Sequence, residues 1–578
     1  MAKKFLILSE IEKTKANQDC IIPFFSALSD KNLLKKKYNH NYDYINKYSS
    51  NEQLIIKDAK YLENIYEKVL VQLSKKLNLS HNKNFSLNFW RILIGPWLGM
   101  FIYIYFLKWK TIANIRNKNT LFKVKFYKFT KDFLIPKNMR DFTLFINSEC
   151  WQQKIGQKIC LHFFKNKNVI NVKYLHQKKI VLKEQGTLKR SLLYLFNLIP
   201  FKKSNRYLIL NSYLGFFREL FLNLKFLQFP SFVTYEKKFN SSKKNFSLRD
   251  EIKKNLKKNK LDKFANNLIN DLTDEIPSTF LEDFHKLEKL SRKLNFPSSP
   301  KVIFSSNFRI STLVSYYIAK KKEDGAKLLI GQHGGLYGAT LFSWFEKHEI
   351  KTCDKFLSWG WLEKSKKIKR LGILVKTKEI NWNNKNKRIL IFLRSRNKYP
   401  ASFLSGTNTE SYLNYSQHLS KFFNKVLPHI KKNFLLRLPP NFKVINQIKF
   451  FNDVKNLKFD NSPEMFSHLN KSILAINTTH STPFLQIMSI NFPNILILNG
   501  KDNPFKDKKS FKMLKKVKIY HDNFKSAANF LNSLDEPQKI FNWWYKNDTQ
   551  NVVKNFCFNH AFKNENLIKD LKNIILEK

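Results

Sequence analysis

The fold is decided at residues 327–338, KLLIGQHGGLYG, where a short apolar strand runs directly into a turn that holds four glycines. The whole chain has only 14 glycines in 578 residues, so this concentration is informative. Glycine permits positive φ angles and close approach of backbone N–H groups to an anionic ligand, which a following helix N-terminus also favours. The spacing is neither GxGxxG nor a Walker loop. It predicts an anion-facing strand-to-helix turn, and a tight turn with a capping histidine is the alternative.

Other short aliphatic segments lie on both sides of this strand, each followed by a polar turn and a helical pattern. The predicted strands are residues 206–211, 301–305, 327–331, 355–359, 388–393, 434–438, 472–477 and 494–498. Strands that are apolar on both faces and alternate with helices predict parallel, doubly wound α/β sheets. In such sheets, ligands bind beyond the carboxyl ends of the strands.

A charge-rich stretch at 365–387 predicts a hinge between two α/β domains. We therefore expect a first Rossmann-like domain with insertions at 1–370, a second at 386–545 and a helical segment at 546–578. Phe5–Leu8 predicts a first strand, and residues 40–90 are helical in pattern. Residues 115–200 have the pattern of an irregular, basic insertion with mixed strands and loops.

The chain has 104 Lys and Arg against 44 Asp and Glu, for a formal net charge of +60, yet 43% of its residues are hydrophobic. This apolar content predicts a folded protein with large cores. Lysine greatly outnumbers arginine and is scattered along the chain, which fits a general compositional bias, a basic surface facing anionic lipid or, less well, nucleic-acid binding. The five cysteines are far apart and predict neither a disulfide scaffold nor a structural zinc site.

Residues 92–107 carry no charge and are flanked by Arg91 and Lys108. A membrane-spanning helix needs about 20 apolar residues, so this segment predicts a buried core helix or an in-plane membrane contact. The N-terminus has neither the apolar length nor the cleavage site of a secretory signal. We expect a cytoplasmic protein with peripheral contact at the inner face of the plasma membrane.

In the first half, Gln332 and His333 place a neutral amide and a titratable imidazole beside the glycine turn. Downstream, Glu346 and Glu349 are three apart and would share a helix face near His348, which suits acid/base chemistry. The spacing is not HExxH, so we expect no metal. Trp359 and Trp361 flank Gly360. They could form a stacking surface for a base or a sugar, or they could be buried at the edge of a domain.

In the second half, Arg394 and Arg437 each end a predicted strand, and the turn NTTHSTP at 477–483 ends another. A hydroxyl-rich turn before a helix supplies N–H and O–H donors with a favourable dipole, which suits a pyrophosphate or a nucleotide monophosphate. The two arginines could clamp the same anion. Ordinary helix capping with solvated arginines is the alternative.

Together these blocks resemble the transferases of surface-polysaccharide biosynthesis that accompany O-antigen and capsule proteins. The resemblance covers most of residues 50–500. It is carried by His81, 89–98, 276–277, Glu282, 325–327, 332–338, Glu346, His348, Glu349, Asp354, 358–361, Arg437, 477–482 and 491–493. The second half is also similar to GT-B-type enzymes that include capsule ketodeoxyoctulosonic acid (Kdo) transferases and polyol-phosphate transferases.

The resemblance implies a GT-B-like fold, with two Rossmann-type domains facing across a cleft and a helical N-terminal insertion. The first domain would bind the acceptor and the second the nucleotide sugar. The implied reaction moves a sugar from a nucleotide sugar, such as a CMP-Kdo-like donor, to a lipid-linked or growing polysaccharide, with no metal, cofactor or nucleic acid. The alternatives are a polyol-phosphate transferase of the same fold and a non-catalytic basic protein that binds lipid or nucleic acid.

We expect three groups of site residues from these motifs. The catalytic group is His333, Glu346 and His348. The donor-binding group is Gln332, Gly334, Gly335, Arg394, Arg437, Thr479, His480, Ser481 and Thr482. The acceptor-side group is Trp90, Arg91, Trp97, Trp359 and Trp361. The chain departs from the pattern at Gln486, where an acidic residue is expected, and at His480, where asparagine is expected.

Overall fold

The computed structural model describes most of the chain. The described residues are 4–9, 11, 19–23, 42–45, 52–117, 122–164, 168–172, 200–231, 242–256, 261–394, 399, 409–439, 448, 451, 454, 457–462, 464–498 and 505–577. Within them, the strands form three sheets, and the strands of each sheet are parallel. The predicted α/β class is therefore confirmed.

The first sheet has five strands in the order β3-β2-β1-β4-β5. Its strands are β1 (Lys4–Leu6), β2 (Cys20–Pro23), β3 (Tyr42–Ile45), β4 (Phe122–Tyr127) and β5 (Val169–Val172). Its helices are α1 (Glu52–His81), α2 (Leu87–Asn117), α3 (Met139–Phe145) and α4 (Glu149–Leu161). Of these strands only β1 was placed by residue; the described part of 115–200 does contain the expected strands, β4 and β5, but also two helices that were not expected. The strands escaped prediction because most are three or four residues long, and β4 alternates buried positions with lysines.

The second sheet has five strands in the order β10-β9-β8-β7-β6, which follows the chain. Its strands are β6 (Tyr207–Leu210), β7 (Val302–Ser305), β8 (Lys327–Gly331), β9 (Lys355–Ser358) and β10 (Ile368–Arg370). Its helices are α5 (Phe216–Leu224), α6 (Phe246–Leu256), α7 (Lys263–Leu272), α8 (Phe284–Arg292), α9 (Thr312–Glu323) and α10 (Trp344–Thr352), with 3₁₀ turns at Pro200–Ser204, Thr273–Glu275 and Ser278–Phe280. The first four strands match prediction within one residue at each end. The predicted hinge at 365–387 begins too early, because β10 is an edge strand of this sheet.

The third sheet has six strands in the order β13-β12-β11-β14-β15-β16. Its strands are β11 (Arg388–Phe392), β12 (Phe434–Arg437), β13 (Lys458–Asp460), β14 (Ser472–Asn477), β15 (Asn494–Ile497) and β16 (Tyr520–His521). Its helices are α11 (Thr409–Lys425), α12 (Pro428–Lys431), α13 (Met465–Leu469), α14 (Thr482–Ser489), α15 (Lys508–Lys516), α16 (Phe524–Ser533) and α17 (Pro537–Trp544). The strand order reverses between β11 and β14, so this sheet is doubly wound with its switch point there.

Two final helices, α18 (Asn547–His560) and α19 (Leu567–Leu576), occupy the segment predicted to be helical. They return the chain to the second sheet. The N–H of Phe562 donates to the Trp359 carbonyl at 2.7 Å, and the N–H of Ile373 donates to the Phe562 carbonyl at 2.9 Å. The carboxylate of Glu577 pairs with lysines of β9 and β10. The C-terminal helices therefore tie the two halves of the chain together.

The apolar segment 92–107 lies inside α2, which is long and apolar enough to cross a membrane by length and composition. Its most apolar window is 94% buried in the protein, and the core-helix alternative is the one that the structure favours. Gly95 and Gly99 lie one turn apart, and both receive aromatic rings of α10. A Cβ at Gly99 would overlap the Trp344 indole, and one at Gly95 would lie 2.6 Å from the His348 ring.

Candidate functional site

The glycine turn after β8 is held from below by Gln332, which is fully buried. Its Oε1 accepts hydrogen bonds from the Trp359 backbone N–H at 2.9 Å and from the Trp361 indole N–H at 2.8 Å. Its Nε2 donates to the Gly334 carbonyl at 2.9 Å. Gln332 was predicted to bind the donor, but its amide is directed into the protein and positions the turn instead.

Gly335 brings the glycine turn into contact with the Ser-Thr turn of the third sheet. A Cβ at this position would lie 2.5 Å from the Ser481 carbonyl carbon and 2.7 Å from the Thr482 backbone nitrogen. Nearby, the Lys506 backbone N–H donates to the Ala339 carbonyl at 2.9 Å. The polar turn after β8 in the second sheet therefore meets the polar turn after β14 in the third.

His333 lies on the glycine turn and is largely enclosed, with 10% of its side chain exposed. Its Nδ1 is 3.8 Å from Oε2 of Glu349, and its Nε2 is 3.4 Å from the Tyr337 hydroxyl. The ring of Tyr213, which follows β6, lies 5.8 Å from the imidazole. Burial and the nearby Arg309 lower the pKa of His333 to about 3, so the imidazole is neutral at pH 7.

Glu349 and Arg309 complete this group, which we call the His333 cluster: His333, Tyr337, Glu349 and Arg309. The Arg309 guanidinium is 2.6 Å from Glu349 Oε1 and 3.9 Å from the centre of the Phe345 ring. Burial raises the pKa of Glu349 to about 7 against the opposing effect of Arg309. A buried carboxyl with this pKa beside an imidazole can accept or release a proton near neutral pH.

Arg309 was not predicted from the sequence. It lies in the loop after β7, in a stretch without a motif, and only its position beyond the carboxyl end of a strand could have indicated it. Glu349 was noted as a neighbour of Glu346 but was not placed in the predicted catalytic group.

Glu346 and His348, the other predicted catalytic residues, have different environments. Glu346 Oε2 accepts a hydrogen bond from the Gly338 N–H at 2.7 Å, and burial raises the pKa of this carboxyl. His348 stacks on Trp344 with ring centres 4.9 Å apart and packs against Gly95 of α2. Burial lowers the pKa of His348 to about 3. The expectation that His348 shares the acid/base face is wrong, because its ring is fixed in the core between α10 and α2.

In the third sheet, Ser481 precedes α14 and its hydroxyl makes no capping hydrogen bond. Thr478 fixes the turn, since its hydroxyl donates to the Phe392 carbonyl at 2.7 Å and lies 2.8 Å from the Tyr415 hydroxyl. Tyr415 also accepts a hydrogen bond from the Arg394 backbone N–H at 3.1 Å. The ends of β11 and β14 are thus joined at the switch point. Thr479, Ser481 and Thr482 are half-buried there, as a ligand-binding turn requires.

His480 and Arg437 were both predicted to bind the donor, but their side chains make contacts with other residues of the protein. The His480 ring is 3% exposed, lies 5.3 Å from the Phe511 ring, and has its pKa lowered to about 3 by burial. The Arg437 guanidinium pairs with Asp460 at 2.6 Å and donates to the Ser462 carbonyl at 2.8 Å. His480 is a core residue, and the charge of Arg437 is already neutralised. Ser395 and Arg396, which follow Arg394 in the sequence, lie outside the described residues.

The predicted acceptor-side residues are part of the core. The indoles are 0% exposed for Trp90, Trp97 and Trp359 and 5% exposed for Trp361. Arg91 is paired with Glu67 at 2.7 Å. These side chains present no free surface, so the expectation that they contact the acceptor is wrong for this conformation. Aromatic enrichment in the sequence could not distinguish a stacking surface from a packed core.

The described ranges contain no group of three or more His, Cys, Asp or Glu side chains placed to hold a metal ion.

Solved structures of glycosyltransferases show weak similarity to this chain. MurG of Acinetobacter baumannii is 9% identical with a TM-score of 0.33, covering 64% of this chain and 99% of MurG. A UDP-glucosyltransferase from Polygonum tinctorium is 9% identical with a TM-score of 0.33, covering 65% of this chain and 99% of that enzyme. The pneumococcal O-GlcNAc transferase GtfA is 8% identical with a TM-score of 0.30, covering 50% and 58%.

No curated protein matches the chain. A family match, in contrast, extends over nearly its whole length, from residue 4 to residue 575. The protein belongs to the LIC12162 family of transferases.

Proposed function

We propose that this transferase is a glycosyltransferase that moves a sugar from a nucleotide sugar to a lipid-linked or growing surface polysaccharide. The observation that carries the proposal is the contact of Gly335 with Ser481 and Thr482. It brings an enclosed group of titratable side chains to the start of a helix whose N-cap hydroxyl makes no capping bond. The His333 cluster can accept or release a proton, and the N-terminus of α14 can bind an anion. Sugar transfer requires both.

The donor phosphate would bind at the N-terminus of α14. The donors would be the Ser481 hydroxyl and the Thr482 backbone N–H, since Pro483 has no N–H and Phe484 is fully buried. A helix N-terminus carries about half a positive charge, which stabilises a phosphate as negative charge builds up on it. Because Arg437 is already paired with Asp460, we assign the anion to the helix rather than to that arginine.

His333 would take the acceptor's proton. The hydroxyl oxygen of the acceptor attacks the anomeric carbon, the bond from that carbon to the nucleotide phosphate breaks, and the phosphate leaves with the electron pair. The hydroxyl proton passes to the neutral imidazole of His333. Glu349, 3.8 Å from Nδ1, stabilises the imidazolium once it is ionised, which strengthens His333 as a base.

The finer features of the reaction are proposed from the sequence and from its resemblance to surface-polysaccharide transferases. The donor is a nucleotide sugar such as a CMP-Kdo-like compound, and transfer needs no metal. The protein works in the cytoplasm at the inner face of the plasma membrane, where its lipid-linked acceptor is found.

The proposal is tested by a nucleotide-release screen of the purified protein with CMP-, UDP-, GDP- and dTDP-sugars, with and without EDTA. We expect EDTA-insensitive release from one donor class, and a loss of about 100-fold or more in His333→Ala. His285→Ala is the matched control, because His285 is exposed on α8, outside the His333 cluster. Release by His333→Ala at the wild-type rate would remove His333 from the mechanism. CMP release from a polyol-phosphate donor alone would instead identify a polyol-phosphate transferase.

A further inference from the structure

Helix α5, directly after β6, buries two polar side chains beside Leu222 and exposes several apolar ones. Its inward-facing residues include the polar Glu219 and Asn223, which are 9% and 1% exposed. Its outward-facing residues include Phe217 and Phe221, which are 80% and 51% exposed. A surface helix of a soluble protein normally buries its apolar stripe, so this arrangement needs a cause.

The polar side anchors α5 to the second sheet. The Glu219 carboxylate accepts a hydrogen bond from the Ser212 hydroxyl, just after β6. The Asn223 side-chain oxygen accepts one from Gln228 Nε2 at 2.8 Å, and the same Gln228 nitrogen lies 2.9 Å from the Tyr207 carbonyl. These bonds fix the rotation of the helix. The apolar side therefore faces outward by construction.

The exposed apolar surface continues past the helix. Phe217, Phe221 and Leu224 lie at i, i+4 and i+7 on one face, and Leu227 beyond them is 97% exposed. Leu227 has a φ of 53° and Tyr213, before the helix, has a φ of 65°. Left-handed backbone is costly for such side chains and persists where the surrounding structure enforces it, often at functional surfaces.

Basic side chains border this surface. Among residues 200–231, the exposed charged side chains are Lys203, Arg206, Arg218 and Lys225, and all four are cations. The one acid in this stretch is the buried Glu219. The Lys225 ammonium lies 4.7 Å from the centre of the Phe221 ring. The surface formed by Phe217, Phe221, Leu224 and Leu227 with the cations Arg218 and Lys225, which we call the α5 surface, is thus both apolar and positive.

We propose that the α5 surface docks onto an anionic phospholipid bilayer. Exposed aromatic and aliphatic side chains insert at the headgroup boundary, and flanking lysine and arginine side chains pair with anionic headgroups. The purpose of docking rests on the proposed function. Tyr213, which precedes α5, has its ring 5.8 Å from that of His333, so docking places the His333 cluster beside the membrane that holds a lipid-linked acceptor.

The test is vesicle co-sedimentation of the full chain with phosphatidylcholine vesicles, with and without phosphatidylglycerol. We expect salt-sensitive binding that requires phosphatidylglycerol. Phe217→Ser combined with Leu227→Ser should weaken that binding by at least about tenfold, because two exposed apolar anchors are lost. Arg218→Glu combined with Lys225→Glu should weaken it and reduce its salt dependence.

The matched control is Leu79→Ser combined with Leu161→Ser, two leucines that are 72% and 59% exposed elsewhere. This variant should bind like the wild type. Equal vesicle binding by the control and the α5 variants, or no binding by the wild type, overturns the proposal. A wild-type dimer in sedimentation that the Phe217 and Leu227 variant abolishes, without vesicle binding, would assign the surface to contact between copies.

Nucleotide release, measured without vesicles, separates this proposal from the proposed function. The Phe217 and Leu227 variant should release nucleotide at the wild-type rate, since neither side chain belongs to the His333 cluster. Vesicle binding without nucleotide release from any donor would leave docking intact and contradict the glycosyltransferase reaction. Nucleotide release without vesicle binding would support the glycosyltransferase reaction and contradict docking.

Discussion

Substituting Gly335 by alanine tests whether the two polar turns act as one site. The added Cβ would lie 2.5 Å from the Ser481 carbonyl carbon and 2.7 Å from both the Ser481 oxygen and the Thr482 nitrogen. All three are backbone atoms, so no side-chain rotation can relieve the overlap. Carbon atoms in contact lie about 3.5 to 4.0 Å apart, and the turns must therefore separate by about 1 Å.

This separation has two measurable costs. Overpacking of a close contact destabilises a protein by about 1 to 3 kcal/mol, which urea denaturation can detect. A displacement of about 1 Å between donor phosphate and acceptor can lower the rate by about 100-fold. We expect Gly335→Ala to remain folded at 25 °C and to show a fall of about 100-fold in kcat/KM for nucleotide release.

The neighbouring glycine supplies the control. A Cβ at Gly334 would meet only the Tyr337 ring, at 3.5 Å, which is ordinary contact. Gly334→Ala should therefore retain activity and stability close to those of the wild type. If Gly335→Ala is as active as Gly334→Ala, or if both lose activity equally, the contact between the turns is not what organises the site.

Three further perturbations follow from the same contacts. Gln332→Ala leaves the Trp359 and Trp361 N–H groups without their acceptor, so we expect the free energy of unfolding, measured by urea denaturation, to fall by about 3 kcal/mol. A fall below about 1 kcal/mol, as at an exposed site, would contradict the function of Gln332 in positioning the turn. In the wild type, nucleotide release should rise with pH through about 7 as Glu349 ionises, and Glu349→Gln should be slower and lack this limb. Because burial raises the pKa of Glu349 from 4.5 to about 7, the stability associated with its neutral form should be lost as the pH rises through that interval, but not in Glu349→Gln. Gly99→Ala should lower stability by about 1 to 3 kcal/mol, with donor KM unchanged, because its Cβ overlaps an indole ring of α10 in the core.

The parts of the fold that the sequence predicted are those with strong local signals. Strand β8 and the turn after it were predicted because a fully buried strand is a continuous apolar run and glycines are rare in this chain. Strand β14 and its hydroxyl-rich turn were predicted for a similar reason, since all six residues of β14 are buried and a polar turn follows them. The resemblance implied two domains facing across a cleft, and the contact of Gly335 with Ser481 is where the polar turns of the two sheets meet.

Other parts could not be predicted from the sequence, because they depend on the direction of side chains or on strands of only two or three residues. Strand β13 has three residues and β16 has two, so neither carries a periodic pattern. His348 and His480 occur in polar-looking motifs, yet both rings turn into aromatic clusters. A one-dimensional motif gives the position of a residue on a turn or helix, and the rotation of that element against its neighbours decides whether the side chain reaches a ligand.

The effect of the chain's charge also depends on where the charged side chains lie in the structure. Lysines are abundant throughout, but many are neutralised locally: Lys347 and Lys351 pair with Glu63, and Lys355 and Lys369 pair with Glu577. A net charge of +60 therefore does not by itself identify a binding surface. Along residues 200–231 the difference is that the exposed charged side chains are all cations, next to apolar side chains that face outward. Any partner must cover apolar area and supply negative charge at once, which an anionic bilayer does and which duplex nucleic acid, offering phosphate without an apolar surface, does not.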